Sequence, residues 1–306
     1  MMEFTALPIA RYRLHFQVTQ PILLPDYAGS TLRGVFGRAL RKISCMTKLA
    51  ECKSCPLYRS CPYTSIFETP APETHNLQKF SQVPNGYIIE PPEWGKKCYE
   101  KGEELSFNIV LFGRLIDQLA LIVFAFKRAF EYQVANGKAE FIDIQHLTLN
   151  ESKSILKNGH IIEHDSLIPL PAKLPQNLTI NLTTPLRLQE NGKVLSTKTI
   201  HFSRLLLGLA KRIALLNEFH YQPLPFDFEQ LKSELTHIED SKQLEWRDWT
   251  RYSSRQNQRM QLGGVVGKWQ LNNVSSQWAT LLYIGQWLHC GKNATFGLGQ
   301  YRITNL

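Results

Sequence analysis

Residues 9–43 read IARYRLHFQVTQPILLPDYAGSTLRGVFGRALRKI. Over residues 9–24 apolar and polar side chains alternate in places before Pro21 and Pro25, the pattern of a strand that runs into a loop. From Gly29 the period changes. Leu32, Val35, Phe36, Ala39, Leu40 and Ile43 follow i, i+3, i+4 spacing over an arc of about 140°, and Ser30 or Thr31 can cap the start. Arg33, Arg38, Arg41 and Lys42 occupy the other side. The spacing predicts a strand followed by an amphipathic helix with a basic face.

Working outward, residues 86–91 and 104–112 suit two strands of a hairpin with a long connection. Residues 115–132 are helical and apolar nearly all round, and residues 139–149 alternate again. The order is β-α-β-β-α-β, the ferredoxin-like unit. Asn158-Gly159 marks a hairpin turn, and Pro169, Pro171 and Pro175 punctuate a linker. The order then recurs without a repeat of sequence: a strand at 178–188, a helix at 202–219 and an added helix at 228–235. Two strands flank Gly263-Gly264 within 246–271, a helix covers 278–289 and a last strand covers 297–303. The fold class expected is α+β: two tandem ferredoxin-like (βαββαβ, RRM-like) domains with a cysteine-rich zinc-binding insert in the first. The domains are 1–165, with the insert at 45–70, and 176–306, with a glycine-rich loop at 291–299.

A chain of 306 residues with 43% hydrophobic content can bury a real core. Its mean hydropathy of −0.24 argues against an integral membrane protein, and the longest apolar run, residues 119–126, is too short to span a bilayer. The opening MMEFTALPIARYR lacks the basic and apolar regions of a signal peptide, so a cytoplasmic protein with no membrane partner is expected. The net charge of +9 favours a polyanionic partner. No long Lys/Arg block is present, so this charge sits on folded elements.

Of six cysteines, four fall within residues 45–61: Cys45, Cys52, Cys55 and Cys61. Cys98 and Cys290 stand alone. In a cytosolic chain such clustering reads as a metal site before it reads as disulfides. One tight CxxC with two outlying thiols suits a closed, structural four-thiolate zinc site; free buried cysteines are the alternative. Lys48, Lys53 and Arg59 lie inside the insert.

Two further segments carry candidate chemistry. HCGKNATFGLGQY, residues 289–301, follows the last helix. Gly291 can end that helix in a left-handed cap, Gly297 and Gly299 would let backbone amides approach a phosphate, and Lys292 adds a fixed charge. An ordinary helix-to-strand turn has the same composition. WRDWTRYSSRQNQRMQLGGVVGKW, residues 246–269, places Arg247, Arg251, Arg255 and Arg259 four residues apart, on one face of either a strand or a helix. Trp249, Tyr252, Ser253, Gln256 and Asn257 between them can stack on bases or bond to RNA. Lys268 adds a further cation, and a solvated charged face is the competing reading.

Taken together, GSTLRGVFGRALRK with the cysteines after it, RYSSRQNQRMQLGGVVG and HCGKNATFGLGQY resemble the CRISPR pre-crRNA-processing endoribonucleases of the RAMP (repeat-associated mysterious protein) superfamily. The resemblance implies tandem ferredoxin-like domains, recognition of CRISPR repeat RNA and a single cut within it. No Asp/Glu cluster suits a pair of catalytic metals, so no catalytic metal is expected. RNA supplies its own nucleophile, and the products would be a 2′,3′-cyclic phosphate and a 5′-hydroxyl. Relatives place a histidine on the first helix, where this sequence has Arg38. Arginine stays protonated and cannot be an ordinary general base, so Arg38 is expected to clamp the scissile phosphate. His289 is then the candidate base or acid, with Lys292 beside it and Tyr27 to hold the 2′-hydroxyl. His15 and His201 are expected to be structural or surface residues. The RNA surface would comprise Arg33, Arg41, Lys42, Arg247, Arg251, Ser253, Arg255, Arg259, Lys268, Gly297 and Gly299. A RAMP subunit that holds guide RNA among effector-complex subunits without cutting is the alternative. A zinc-dependent DNA-binding protein is a third reading, and duplex DNA is not an expected partner.

Overall fold

The computed structural model describes residues 5–71, 83–225, 227–253 and 258–304. Residues 69–75, TPAPETH, a Pro-rich stretch whose composition predicts a loop, lie partly outside them. The chain divides into two units. One is Pro8–Ile168 with Phe219–Tyr221; the other is Met1–Leu7, Pro169–Glu218 and Gln222–Leu306.

In the N-terminal unit, β1 (Ile9–Gln20) leads to α1 (Gly29–Ser44) and the short α2 (Pro62–Phe67). Then come β2 (Tyr87–Glu90), β3 (Glu104–Phe112), α3 (Leu119–Tyr132), β4 (Lys138–Leu147) and β5 (Ser152–Ser154). The sheet order is β2-β3-β1-β4-β5 with every pairing antiparallel, so the first four strands take the ferredoxin-like arrangement. Alternation along β1 buries Tyr12, Leu14, Phe16 and Val18 completely. Phe16 stacks on Phe130 of α3 with ring centroids 4.1 Å apart, and Phe36 of α1 stacks on Phe126 at 4.7 Å. Helix α1 begins one residue before the expected caps. Ala28 is its N-cap and no side chain bonds there, so Ser30 and Thr31 are already helical.

The C-terminal unit comprises β6 (Leu178–Leu186), α4 (Phe202–His220), α5 (Phe228–Glu234), β7 (Glu239–Arg247), β8 (Thr250–Ser253), β9 (Gln258–Gln261), β10 (Gly264–Asn272), α6 (Ser276–Leu288) and β11 (Tyr301–Ile303). Its four-stranded sheet runs β7-β10-β6-β11, the same order as the first. Here the structure corrects the expected hairpin. β10 pairs with β7, from Glu239↔Asn272 to Arg247↔Gly264, and β8 and β9 form a separate two-stranded arm between them. The final strand is also shorter than expected: Ala294–Phe296 is a 3-10 turn, and Gly297 is left-handed at φ 95°. Tyr301, fully buried, ties β11 to α6 by donating to the Leu282 carbonyl at 2.7 Å. No helix among the described residues is long and apolar enough to cross a membrane.

Two glycines of α1 separate helix propensity from packing. A Cβ on Gly37 would lie well inside contact distance of the Phe67 ring, whereas a Cβ on Gly34 meets only the end of Arg38, at 3.8 Å. Gly37→Ala therefore gains about 1 kcal/mol of propensity but overpacks at a cost of about 1–3 kcal/mol. Denaturant unfolding should show Gly34→Ala stabilised and Gly37→Ala destabilised.

Candidate nucleic-acid interface

The basic face of α1 divides into two kinds of residue. Arg38 and Lys42 are exposed, and Arg38 has no hydrogen bond or ion pair with any other described residue. Lys42 sits 5.3 Å from the centre of the Tyr132 ring. Arg33 and Arg41 are engaged within the fold. The Arg33 guanidinium lies 4.3 Å over the Phe67 ring, while Arg41 donates to the Leu49 and Ala50 carbonyls at 2.6 and 2.8 Å. Tyr27, expected near a substrate hydroxyl, is 2% exposed with its ring 4.9 Å from Trp94. Burial, then the Glu90 carboxylate, push its phenol far above the usual range.

Cys45, Cys52, Cys55 and Cys61 all line one cavity of about 20 Å³. Cys55 Sγ is 3.3 Å from the Thr47 hydroxyl. Among the described residues no three His, Cys, Asp or Glu side chains stand in a metal-holding arrangement.

The glycine-rich loop is built differently from expectation. Gly297 and Gly299 are buried, and their amides are spent on the chain itself: Gly297 N–H donates to Ala294 O at 2.9 Å and Gly299 N–H to Pro185 O at 3.0 Å. Gly299 is left-handed at φ 69°, and a Cβ there would collide with the Cys290 carbonyl. These glycines permit close approach of backbone to backbone rather than to a phosphate. His289 is fully buried, with Nδ1 3.2 Å from Leu298 O. A proton-transfer group must come within hydrogen-bond reach of its substrate, and this ring is sealed in the protein. Lys292 remains exposed.

The arginine series does not share one element. Arg247 ends β7, 3.5 Å from Glu245. The chain then reverses, so that Arg251 on β8 pairs with Met260, and Arg259 on β9 pairs with Tyr252. Ser253 closes β8 opposite Gln258, and Arg255 lies outside the described residues. A four-residue spacing aligns side chains only along a continuous strand or helix, and here the reversal interrupts it. Trp249, expected to stack on bases, is buried with its ring 6.1 Å from Phe296. Lys268 instead joins a row that crosses the whole sheet, Gln243–Lys268–Asn181–Arg302, one residue from each of the four strands. Lys268 and Arg302 are exposed and have no partner among the described residues. Arg302 and Asn181 were not singled out in the sequence, because only strand register brings them beside Lys268.

A second polar cluster also went unread. Tyr12 on β1 faces His146 on β4, and the Tyr12 oxygen is 2.8 Å from His164 Nε2. His164 Nδ1 lies 3.0 Å from the Ile162 carbonyl, which can only accept. Nδ1 therefore carries the proton, and the Tyr12 hydroxyl donates to Nε2. The two imidazoles, with centroids 5.1 Å apart, line a cavity of about 250 Å³ whose walls also carry Glu151, Lys153, Glu163 and Asp165. Three carboxylates against one ammonium make this cavity a poor host for a phosphodiester.

Two tandem ferredoxin-like units, each exposing cations that have no carboxylate partner among the described residues, define a double ferredoxin-like fold suited to a polyanionic ligand. Residues 7–168, more than half of the chain, match a family model described as an N-terminal domain, and residues 180–301 match one described as the CRISPR-associated endoribonuclease Cas6. The chain belongs to the family defined by that N-terminal domain, and its C-terminal unit matches the Cas6 endoribonuclease model. It is 26% identical to an uncharacterised protein of Archaeoglobus fulgidus over 304 residues, 92% of each chain. In fold it is similar to a Cas6 product complex, with a TM-score of 0.58 and 12% identity over 96% of this chain and 99% of that one. It is also similar to a Cas6–RT–Cas1–Cas2 complex, with a TM-score of 0.57 and 13% identity over 99% of this chain and 46% of that one. Cas6 of Thermus thermophilus matches with a TM-score of 0.52 and 12% identity over 98% of this chain and 99% of that one.

Burial, and next the neighbouring His164, hold the His146 pKa below its ordinary value, with Asp165 opposing. A depressed histidine pKa stabilises the fold above the unfolded value of about 6.5 and loses that stabilisation as pH falls through the folded value. His146→Gln should therefore flatten the acid limb of stability below about pH 6.5, as measured by urea unfolding at successive pH values. Gly299→Ala should lower the thermal midpoint, since it combines a left-handed backbone with a collision against Cys290 O.

Proposed function

We propose that this protein binds CRISPR repeat RNA and cuts it once. In this reading the 2′-hydroxyl oxygen attacks the adjacent phosphorus and the 5′-oxygen leaves, giving a 2′,3′-cyclic phosphate and a 5′-hydroxyl. What carries the reading is one coincidence. A Cas6 endoribonuclease match covers residues 180–301 in a chain whose two units each expose cations without carboxylate partners among the described residues, Arg38 and Lys42 on α1 and Lys268 and Arg302 on the second sheet. Such cations bind phosphates and release counterions. Arg38 holds the scissile phosphate, so positioning and cationic stabilisation of the developing charge supply most of the acceleration. The bound product is the guide RNA, held for the other subunits of an effector complex.

A second reading, an RNA-holding subunit that does not cut, is favoured by one observation: the histidine beside the glycine loop, His289, is fully buried. Incubation with repeat RNA in EDTA distinguishes the two. Cleavage that stops on a single 2′-deoxy substitution supports the nuclease; tight binding without product supports the holder. Arg38→Ala should reduce the single-turnover rate at least 10-fold, while His289→Asn should act through stability and leave the rate of the folded fraction within a few-fold. Lys268→Ala with Arg302→Ala should weaken binding and lower the slope of log affinity against log salt by roughly 1–2. An unchanged slope would remove that sheet face from the RNA surface.

A further inference from the structure

The stretch from Cys45 to Cys61 contains neither helix nor strand. A loop of this length inside a compact unit needs something to hold it, yet it is tethered closely to α1 and α2. Cys45 is the C-cap of α1 and its amide donates to Arg41 O. Cys61 is the N-cap of α2. Cys52 and Cys55 sit on successive tight turns, with Cys55 N–H donating to Cys52 O at 3.0 Å and Tyr58 N–H to Cys55 O at 2.9 Å. The four thiols thus come from the end of one helix, the start of the next and the turn between them, and they share one cavity.

We infer that this cavity is a structural zinc site with Cys45, Cys52, Cys55 and Cys61 as its four thiolate ligands. Four sulfur donors select zinc or an iron–sulfur cluster, and of the two zinc is the one that a closed, structural four-thiolate site takes. On binding, the four thiols give up their protons to solvent and Zn²⁺ takes their place. The sulfurs have still to draw together, and rotation about one Cα–Cβ bond moves a cysteine sulfur by roughly 3 Å. The net charge of the closed site, −2, is half offset by Arg41, which lines the same cavity and clamps the Leu49 and Ala50 carbonyls.

The metal does more than close a loop. Helix α2 carries Phe67, and that ring lies under Arg33, against Phe36 at 5.9 Å and close over Gly37. Zinc fastens α2 to the end of α1, and Phe67 wedges the middle of α1 against the core. The site therefore sets the position of the helix that displays Arg38 and Lys42.

Metal analysis of the purified full chain, equilibrated with zinc and then desalted, tests this directly and without RNA. One zinc per chain is expected. A strong chelator should remove it, lower the thermal midpoint by several degrees, and expose four additional thiols to a chromogenic thiol reagent. Cys52→Ser with Cys55→Ser should abolish zinc retention, while Cys98→Ser should keep the full equivalent. If the double variant does not fold, the chelation arm on the unaltered chain still decides. Zinc below 0.2 equivalents, an iron–sulfur chromophore in its place, or a double variant that retains one zinc would each overturn the assignment.

Discussion

β1 is hydrogen-bonded along both of its edges, to β3 from Ile9↔Phe112 to Gln17↔Glu104 and to β4 over most of the same length. A strand fixed on both sides cannot rotate, so the side chains alternating along it must go where the register sends them. Tyr12, Leu14, Phe16 and Val18 go beneath the helices and are fully buried. The apolar stripe of α1 is then obliged to face them, and its remaining positions, Arg38 and Lys42 among them, are obliged to face water. The exposed charge on this helix is therefore a consequence of where the core is. The central pair β6 and β10 imposes the same division on the second sheet, with Trp269 inward and Lys268 outward.

Periodicity makes much of this legible in the sequence alone. The strand at 9–24, the basic helix after it and the repeated β-α-β-β-α-β order all rest on apolar side chains that recur with a structural period, and the observed sheets follow that order. β7 was missed because it has no such period. Its sequence, EDSKQLEWR, is almost wholly exposed, and backbone pairing with β10 rather than side-chain burial holds it in place. The arginine series failed for a related reason, since equal spacing says nothing about where a chain turns back.

The site was less legible than the fold. Glycines in HCGKNATFGLGQY signalled close approach correctly but not what approaches: the neighbour is the chain's own backbone at Pro185, Ala294 and Cys290. His289 stood next to that loop in sequence, yet sequence proximity carries no information about burial, and the ring is turned into the protein. Tyr12 and His146 were each assigned to strands, and the ferredoxin-like order makes those strands neighbours. His164 joins them only through the path of a loop, which no local pattern encodes. Clustering of the cysteines, by contrast, survived translation into space, because consecutive tight turns between the end of α1 and the start of α2 fold residues 45–61 back on themselves and bring the four thiols to one cavity.

β7 forms one border of the second sheet, with β10 on its inner side, and a border strand offers its outer backbone groups to any other strand that arrives. Along this one stand Glu239, Asp240, Lys242, Glu245 and Arg247, a mixture of signs on a nearly fully solvated ribbon. A second copy adding itself here would have to strip water from these charges and set like against like in most registers. The same polarity that hid the strand from a hydrophobic reading thus guards the protein against growing into fibres of itself.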